Sequence, residues 1–228
     1  MFRLKIFILL FLCLTSMTSC IKRNDTDNLW LPMKGLSWGM EKEKAISLLE
    51  GNRITLKQEK GTVPNRYVLN EAQTCWSFKG TVKLDFKSFS DGGTAYLTAF
   101  KFYPEEFKED ILSKKLSKSF GVESSNPPGY AAKGLYWESK MNLSDIPNKD
   151  TKQRAENLIE KIWGNVPFHE TKVEMSRPLV TAQYTPPEQD DLKGNIYLNG
   201  ERAALAVFAK DDKISSAIDE SSGMQYAS

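Results

Sequence analysis

Apolar side chains recur every three to four residues in three segments of the chain, residues 40–50, 104–120 and 150–163. This spacing predicts three amphipathic helices, each ended by a nearby glycine. In the second segment the acidic residues precede the lysines, an order that complements the helix dipole. We expect one apolar stripe of this segment to pack on a sheet. The stripe consists of Phe107, Ile111, Leu112, Leu116 and Phe120.

Between these helices the hydrophobic period shortens to two. Residues 82–86 alternate apolar and charged side chains, which predicts a strand buried on one face. Residues 96–103 are apolar on both faces, which predicts a central strand. The dipeptide at residues 199–200 is Asn-Gly, a strong hairpin signal. Further strands are predicted at residues 75–78, 135–140, 172–175, 179–184, 196–198 and 202–208.

These patterns together predict an α+β fold, with antiparallel sheet and about three helices packed on one face. The Pro-, Gly- and Ser-rich stretch 123–129 is the best candidate for a boundary. The predicted organisation is a signal peptide at 1–19, a lipidated cysteine and tether at 20–30, a first α+β module at 31–122, a second module or a continuation of the same domain at 130–210, and a polar tail at 211–228.

The N-terminal segment has the three parts of an export signal. Arg3 and Lys5 precede an apolar run at residues 6–14. This run is too short for a membrane-spanning helix, which needs about 20 residues. It is followed by small and polar residues up to Cys20. The alternatives are an ordinary signal peptide and a lipoprotein signal, and the last four residues distinguish them.

Residues 17–20, Met-Thr-Ser-Cys, resemble the lipobox of bacterial lipoproteins. The resemblance implies cleavage before Cys20 and attachment of a diacylglycerol to its thiol. The chain would then be held on a membrane by the lipid on Cys20, since two or more acyl chains give stable anchoring. Ile21 stands where an Asp commonly retains lipoproteins at the inner membrane. We therefore expect the periplasmic side of the outer membrane if the source is Gram-negative.

A second resemblance covers only the start of the first predicted helix. Residues 38–43, Trp-Gly-Met-Glu-Lys-Glu, resemble the opening of small exported bacterial domains. These include the β-lactamase inhibitor proteins and the small lipoprotein of the outer-membrane β-barrel assembly machinery. The resemblance implies an exported α+β module and transfers no functional residue.

Charge and composition exclude several classes of protein. The formal net charge of +2 arises from 31 basic and 29 acidic residues, and Arg3 and Lys5 account for the whole excess. The mature chain is therefore neutral and has no electrostatic footprint for nucleic acid. With one His and three Cys, the sequence predicts neither a zinc site nor a disulfide scaffold, and no cofactor motif is present.

Candidate nucleophiles and proton donors are few. His169 lacks a Gly-x-Ser-x-Gly nucleophile elbow and an orienting carboxylate, so a loop position is the simpler interpretation. Cys75 is flanked by aromatic residues, which predicts a buried structural thiol. Intermolecular disulfide formation and nucleophilic catalysis are the alternatives for this residue.

Paired carboxylates and exposed aromatics are the remaining candidates for chemistry. Glu105-Glu106 and Asp190-Asp191 could serve glycoside hydrolysis, but the first pair fits a helix start and the second a Pro-rich loop. Trp30 and Trp38 could bind a peptide or a sugar, although aromatics more often pack in the core.

The sequence therefore predicts no catalytic, cofactor or metal residues, and lipidation at Cys20. The leading hypothesis is a non-enzymatic, lipid-anchored envelope protein that binds another protein or an envelope component. One alternative is a periplasmic immunity or inhibitor protein that neutralises a toxin or enzyme. Another alternative is an envelope hydrolase with an unrecognised site, which a pocket with converging carboxylates would favour.

Overall fold

The computed structural model describes residues 28–61, 63–90, 93–106, 108–124, 134–167, 170–187 and 194–221. These residues form an open antiparallel sheet of eight strands accompanied by six α-helices. The predicted α+β class is confirmed. The three predicted helices are only half of those that the described residues contain.

The elements alternate irregularly between strand and helix along the chain. The strands are β1 (Leu56–Gln58), β2 (Arg66–Leu69), β3 (Gln73–Cys75), β4 (Phe78–Ser88), β5 (Ala95–Pro104), β6 (Leu135–Glu138), β7 (Thr181–Thr185) and β8 (Asn195–Asn199). The helices are α1 (Lys42–Gly51), α2 (Glu109–Phe120), α3 (Lys149–Trp163), α4 (Thr171–Ser176), α5 (Glu201–Lys210) and α6 (Asp212–Ser221). A single 3₁₀ turn covers Leu143–Asp145.

The strand order in the sheet is β1-β2-β4-β5-β8-β7-β6, and β3 pairs with β4 off this path. β5 lies between β4 and β8, which confirms the central strand predicted from its two apolar faces. The register places Phe100 of β5 opposite Leu84 of β4 and Leu198 of β8. Strands from both sides of the stretch 123–129 therefore belong to one sheet.

The two faces of this sheet differ sharply in composition, because successive side chains of a strand point in opposite directions. One face, called the core face here, is fully buried. It comprises Val82, Leu84, Phe86, Phe100, Phe102, Trp137, Ala182, Tyr184, Ile196 and Leu198. The other, called the open face, is mostly half-buried and polar. It comprises Arg66, Val68, Thr81, Lys83, Asp85, Ala99, Lys101, Tyr103, Tyr136, Gln183 and Tyr197.

Helix α2 covers the core face through aromatic contacts. The Phe120 ring lies 5.5 Å from that of Trp137 and 5.6 Å from that of Trp76. Leu112 and Leu116 are fully buried on the same side of the helix. The predicted packing of this segment on the sheet is confirmed for these three residues, whereas Phe107 lies outside the described residues.

The predicted stripe of α2 was wrong at Ile111, which is 49% exposed. The helix starts at Glu109, not at Pro104. At 3.6 residues per turn, Ile111 points away from the side that carries Leu112, Leu116 and Phe120. Pro104 instead ends β5, where it pairs with Gly80. The Glu105 amide extends that pairing by donating to the Lys79 carbonyl at 2.9 Å. Pro104 and Glu105 therefore belong to the end of a strand, although the local pattern predicts the first turn of a helix there.

Four helices form a cluster at the end of the sheet where β8 leads into α5. α3 packs against α4, α5 and α6, and α5 also contacts β5. The fully buried Glu174 of α4 forms ion pairs with Arg202 of α5 and with Arg177, the latter at 3.0 Å. The Arg202 guanidinium also lies 5.4 Å from the Trp163 ring centroid at the end of α3.

The predicted hairpin at Asn199-Gly200 was wrong, because residues 202–208 form helix α5. Gly200 is the N-cap residue of α5, and its amide donates to the Thr98 carbonyl at 2.8 Å. The Asn199 side chain accepts from the Glu201 amide at 3.1 Å. Three alanines in this segment have high helix propensity, and its apolar positions are too continuous to specify a strand period.

Two further predictions in the C-terminal half were wrong. Residues 172–175 form part of α4. In this helix the Glu174 side chain points inward and meets Arg202. The predicted polar tail includes helix α6, in which Ser215 and Ile218 are buried. The Asp211 carboxylate accepts from two amides at the start of α6 and so caps it. Ile214 and Ile218 pack against the core and Arg154 binds Asp212 at 2.7 Å, so apolar contacts, an ion pair and a cap together order this mostly polar segment.

Candidate functional site

The open face is the most distinctive surface among the described residues. Ion pairs join its residues on β2 and β4. Arg66 of β2 stands directly opposite Asp85 of β4. Its Nε donates to Oδ1 at 2.5 Å and its Nη2 to Oδ2 at 2.6 Å, a bidentate arrangement. The hydrogen bonds that Arg66 donates to the Asp85 carboxylate raise the pKa of the Arg66 guanidinium above its ordinary value. Lys83 is paired with Glu59 at 2.6 Å.

Two tyrosines on the open face each have a lysine over the ring. Lys83 Nζ lies 5.3 Å from the ring centroid of Tyr103, and Lys101 Nζ lies 4.8 Å from that of Tyr197. Both distances allow a cation–π interaction. These contacts restrict the conformations of both rings and both ammonium groups.

Lys101 occupies the centre of the open face without a carboxylate partner. It lies opposite Lys83 on β4 and opposite Tyr197 on β8. Glu59 neutralises Lys83 and Asp85 neutralises Arg66, but Lys101 forms no ion pair with any carboxylate in the described part of the chain. Burial lowers the pKa of Lys101, and the nearby charge of Arg66 lowers it further.

A polar pocket of about 410 Å³ lies where the open face meets the helical cluster. Its lining includes Asp85, Lys87, Thr98, Asn199 and Glu201. Lys87 reaches across this pocket to Glu201 at 2.5 Å. The second carboxylate, Asp85, is held by Arg66. Two carboxylates thus converge here, but each already binds a cation, so neither is placed to donate a proton to a glycosidic oxygen.

The remaining candidates from the sequence are dispersed. Cys20, His169 and Asp190-Asp191 lie outside the described residues. Glu105 and Glu106 are exposed on the turn between β5 and α2, and Glu105 lies 3.9 Å from Lys79.

Cys75 is buried, as its aromatic neighbours predicted. The residue is only 1% exposed, and burial raises the pKa of its thiol to about 12. Because the thiolate is the reactive form, this thiol is a poor nucleophile at neutral pH. The structural interpretation of Cys75 is therefore confirmed.

The two tryptophans near the predicted tether pack into the protein. Trp38 is fully buried, and its Nε1 donates to the Leu29 carbonyl at 2.9 Å. The Trp30 ring lies 4.9 Å from that of Phe120. Neither ring is presented as a platform for a ligand, which confirms the packing interpretation.

Sequence reasoning missed the residues that define the open face. The alternation of Lys83 and Asp85 with apolar residues did indicate a polar face on β4. It contained no signal for Arg66 or Tyr197. Arg66 lies 19 positions before its partner Asp85, and Tyr197 lies 96 positions after its partner Lys101, so both relationships are visible only in the register. The isolation of Lys101 depends on the same pairing.

Other kinds of site find no support in the described residues. No group of three or more His, Cys, Asp or Glu side chains among them is arranged to hold a metal ion. Within the same ranges, no helix has the length and apolar character needed to cross a membrane. No protein family, curated protein or solved structure matches this chain.

Proposed function

We propose that this chain is a lipid-anchored envelope protein that acts by binding another protein through the open face of its sheet. The anchor is proposed from the charged start, the apolar run and the lipobox-like residues 17–20. The binding role rests on one observation. A broad sheet face carries ordered tyrosines and cations, and the described helices leave it uncovered.

The chemistry of this face favours a protein over a small ligand. Tyr and Arg are enriched at protein interfaces and at their energetic hot spots. Tyr103, Tyr197 and Arg66 are spread over three strands and are not gathered around one cavity. A flat surface of this kind fits a folded partner, whereas a small molecule needs a concave site that buries most of its area.

The polar pocket does not favour the hydrolase alternative. A retaining or inverting glycosidase uses one carboxyl as an acid and the other as a base or nucleophile. Here Asp85 is bound bidentately by Arg66, and Glu201 is bound by Lys87. A protein that inhibits an enzyme also acts by binding, so the inhibitor alternative is a special case of this proposal. The identity of the partner distinguishes an inhibitor from another binding protein.

The anchor is tested by replacing Cys20 with Ala in the native host. Loss of the acylated N-terminal peptide by mass spectrometry, with release of the protein from the membrane fraction, is the expected result. A variant that remains wholly with membranes at unchanged processing would contradict the proposal.

The binding surface is tested by photo-crosslinking in intact cells. Benzoylphenylalanine placed at Tyr103 on the open face should give a discrete adduct with one envelope protein. The same probe at Lys114, which is exposed on α2, is the matched control and should give none. Equal adducts from both positions, or none from Tyr103, would rule out the open face as the binding surface.

A further inference from the structure

Lys101 carries a charge with which no carboxylate of the described residues forms an ion pair. Like charges directly opposite each other on neighbouring strands destabilise a sheet. Lys83 and Lys101 are such a pair, and the charge of Lys83 is offset by Glu59. No carboxylate among the described residues forms an ion pair with Lys101, although Asp85 and Glu59 lie close enough for their charges to favour its ammonium form. A half-buried cation in this position gains stability from an anion supplied from outside.

The surroundings of Lys101 hold its ammonium group in place and leave room beside it. The Tyr197 ring orients Nζ at 4.8 Å from its centroid. Along β5 the neighbours on the same face are Tyr103 on one side and Ala99 on the other. Ala99 is small, and it lines the polar pocket. An incoming carboxylate would therefore reach Lys101 from the side of this pocket.

We propose that Lys101 is the anion-binding centre of the open face and that it receives an Asp or Glu side chain of the partner protein. This inference rests on the proposed function. A carboxylate fits better than a cation, since Arg66, Lys83 and Lys101 lie within adjoining register positions and only the first two are paired. The aliphatic part of the incoming side chain would cover the Tyr103 ring.

The contact is tested with a zero-length carbodiimide crosslinker on intact envelopes of the native host. The reagent activates a carboxylate, and a neighbouring lysine amine displaces the activating group to form an amide. We expect mass spectrometry to find an isopeptide bond between Lys101 and an Asp or Glu of another protein. The Lys101→Met variant should lose this bond. It should also lower the photo-adduct yield from Tyr103 by about tenfold or more, as expected for a buried charge pair.

A control variant and the possible results separate failure of this inference from failure of the proposed function. Lys114→Met removes an exposed lysine of α2 and should leave both adducts unchanged. A Tyr103 photo-adduct that persists in Lys101→Met, with no isopeptide at Lys101, would overturn the inference and leave the proposed function standing. An isopeptide to a peptidoglycan stem carboxylate, or only to Asp85 or Glu59 of the same chain, would also overturn it. Absence of any photo-adduct in the wild type would overturn both.

Discussion

The two faces of the central sheet are built from the same strands but are stabilised in different ways. On the core face, Phe100 and Phe102 are fully buried and lie 5.8–6.2 Å from the Trp76 ring, centroid to centroid. On the open face, Lys101 and Tyr103 occupy the intervening positions of the same strand and remain half-buried. The core face thus contributes most of the stability, and the open face is available for recognition.

This contrast predicts that neighbouring substitutions on β5 differ by several kcal/mol. Phe100→Ala should lower the free energy of unfolding by about 3–5 kcal/mol, because it removes a fully buried ring and leaves a cavity. Lys101→Ala, one residue along, should change it by less than about 1 kcal/mol, because this half-buried side chain leaves no core cavity and its loss removes a like charge opposite Lys83. Urea denaturation of both variants measures the difference. Similar losses would show that the open face is part of the core.

Substitutions at buried and exposed positions of helix α2 should differ in their stability loss by nearly as much. Leu116→Ala is expected to cost about 2–5 kcal/mol, because this side chain is fully buried against the core face. Ile111→Ala should cost less than about 1 kcal/mol, since this side chain is 49% exposed. Thermal melts of the two variants would contradict the observed helix orientation if Ile111→Ala proved the more damaging change.

Burial of Cys75 predicts instability at alkaline pH. The pKa of this thiol is raised from 9.0 to about 12 in the folded protein. The associated stability is complete below pH 9 and is lost as the pH rises toward 12, because only the unfolded chain ionises readily in that range. Wild type should lose about 2 kcal/mol more than Cys75→Ala between pH 9 and pH 11. Parallel curves for the two proteins in denaturant titrations would refute the burial.

Two glycines provide a test at the end of the core face. A Cβ at Gly200 would lie 2.2–2.5 Å from atoms of the buried Trp38 ring, so Gly200→Ala should cost about 1–3 kcal/mol through overpacking. A Cβ at Gly51 meets nothing within 4 Å, so Gly51→Ala should be neutral or stabilise by up to about 1 kcal/mol. Differential scanning calorimetry distinguishes the two. A neutral Gly200→Ala would mean that Trp38 does not pack on this residue.

The smallest expected effect concerns the ion pair of the open face. Arg66→Gln should lower stability by about 1 kcal/mol at low salt, because Asp85 loses its bidentate partner in a pair whose side chains are 16% and 14% exposed. The loss should shrink as salt is added, since ions screen exposed charges. Unfolding midpoints at two salt concentrations measure this. An effect that is independent of salt would place the pair in the core.

The sequence predicted elements whose residues interact mainly with sequence neighbours or show a strict period. The alternation of residues 82–86 and the apolar spacing of residues 150–163 correspond to β4 and α3. Prediction from the sequence failed where a distant contact decided the local conformation. Glu174 turns inward in a helix because Arg202 lies opposite it, and residues 202–208 are helical although their composition also suits a strand.

The candidate site was even less accessible to sequence reasoning. Lys83 and Asp85 could be assigned to a polar face from their alternation alone. Their partners Glu59 and Arg66, and the cross-strand neighbour Tyr197, could not be assigned, because no local pattern encodes the register between separate strands.

The amino-acid pattern alone predicted the α+β class, the central position of β5 and the burial of Cys75, since each depends on side-chain periodicity or on immediate neighbours. Strand pairing was needed to find that Lys101 lies beside ion-paired cations while no carboxylate of the described residues pairs with it. Periodicity acts over a few residues, whereas strand pairing brings together charges that are far apart in the chain, and the electrostatic balance of a surface depends on that pairing.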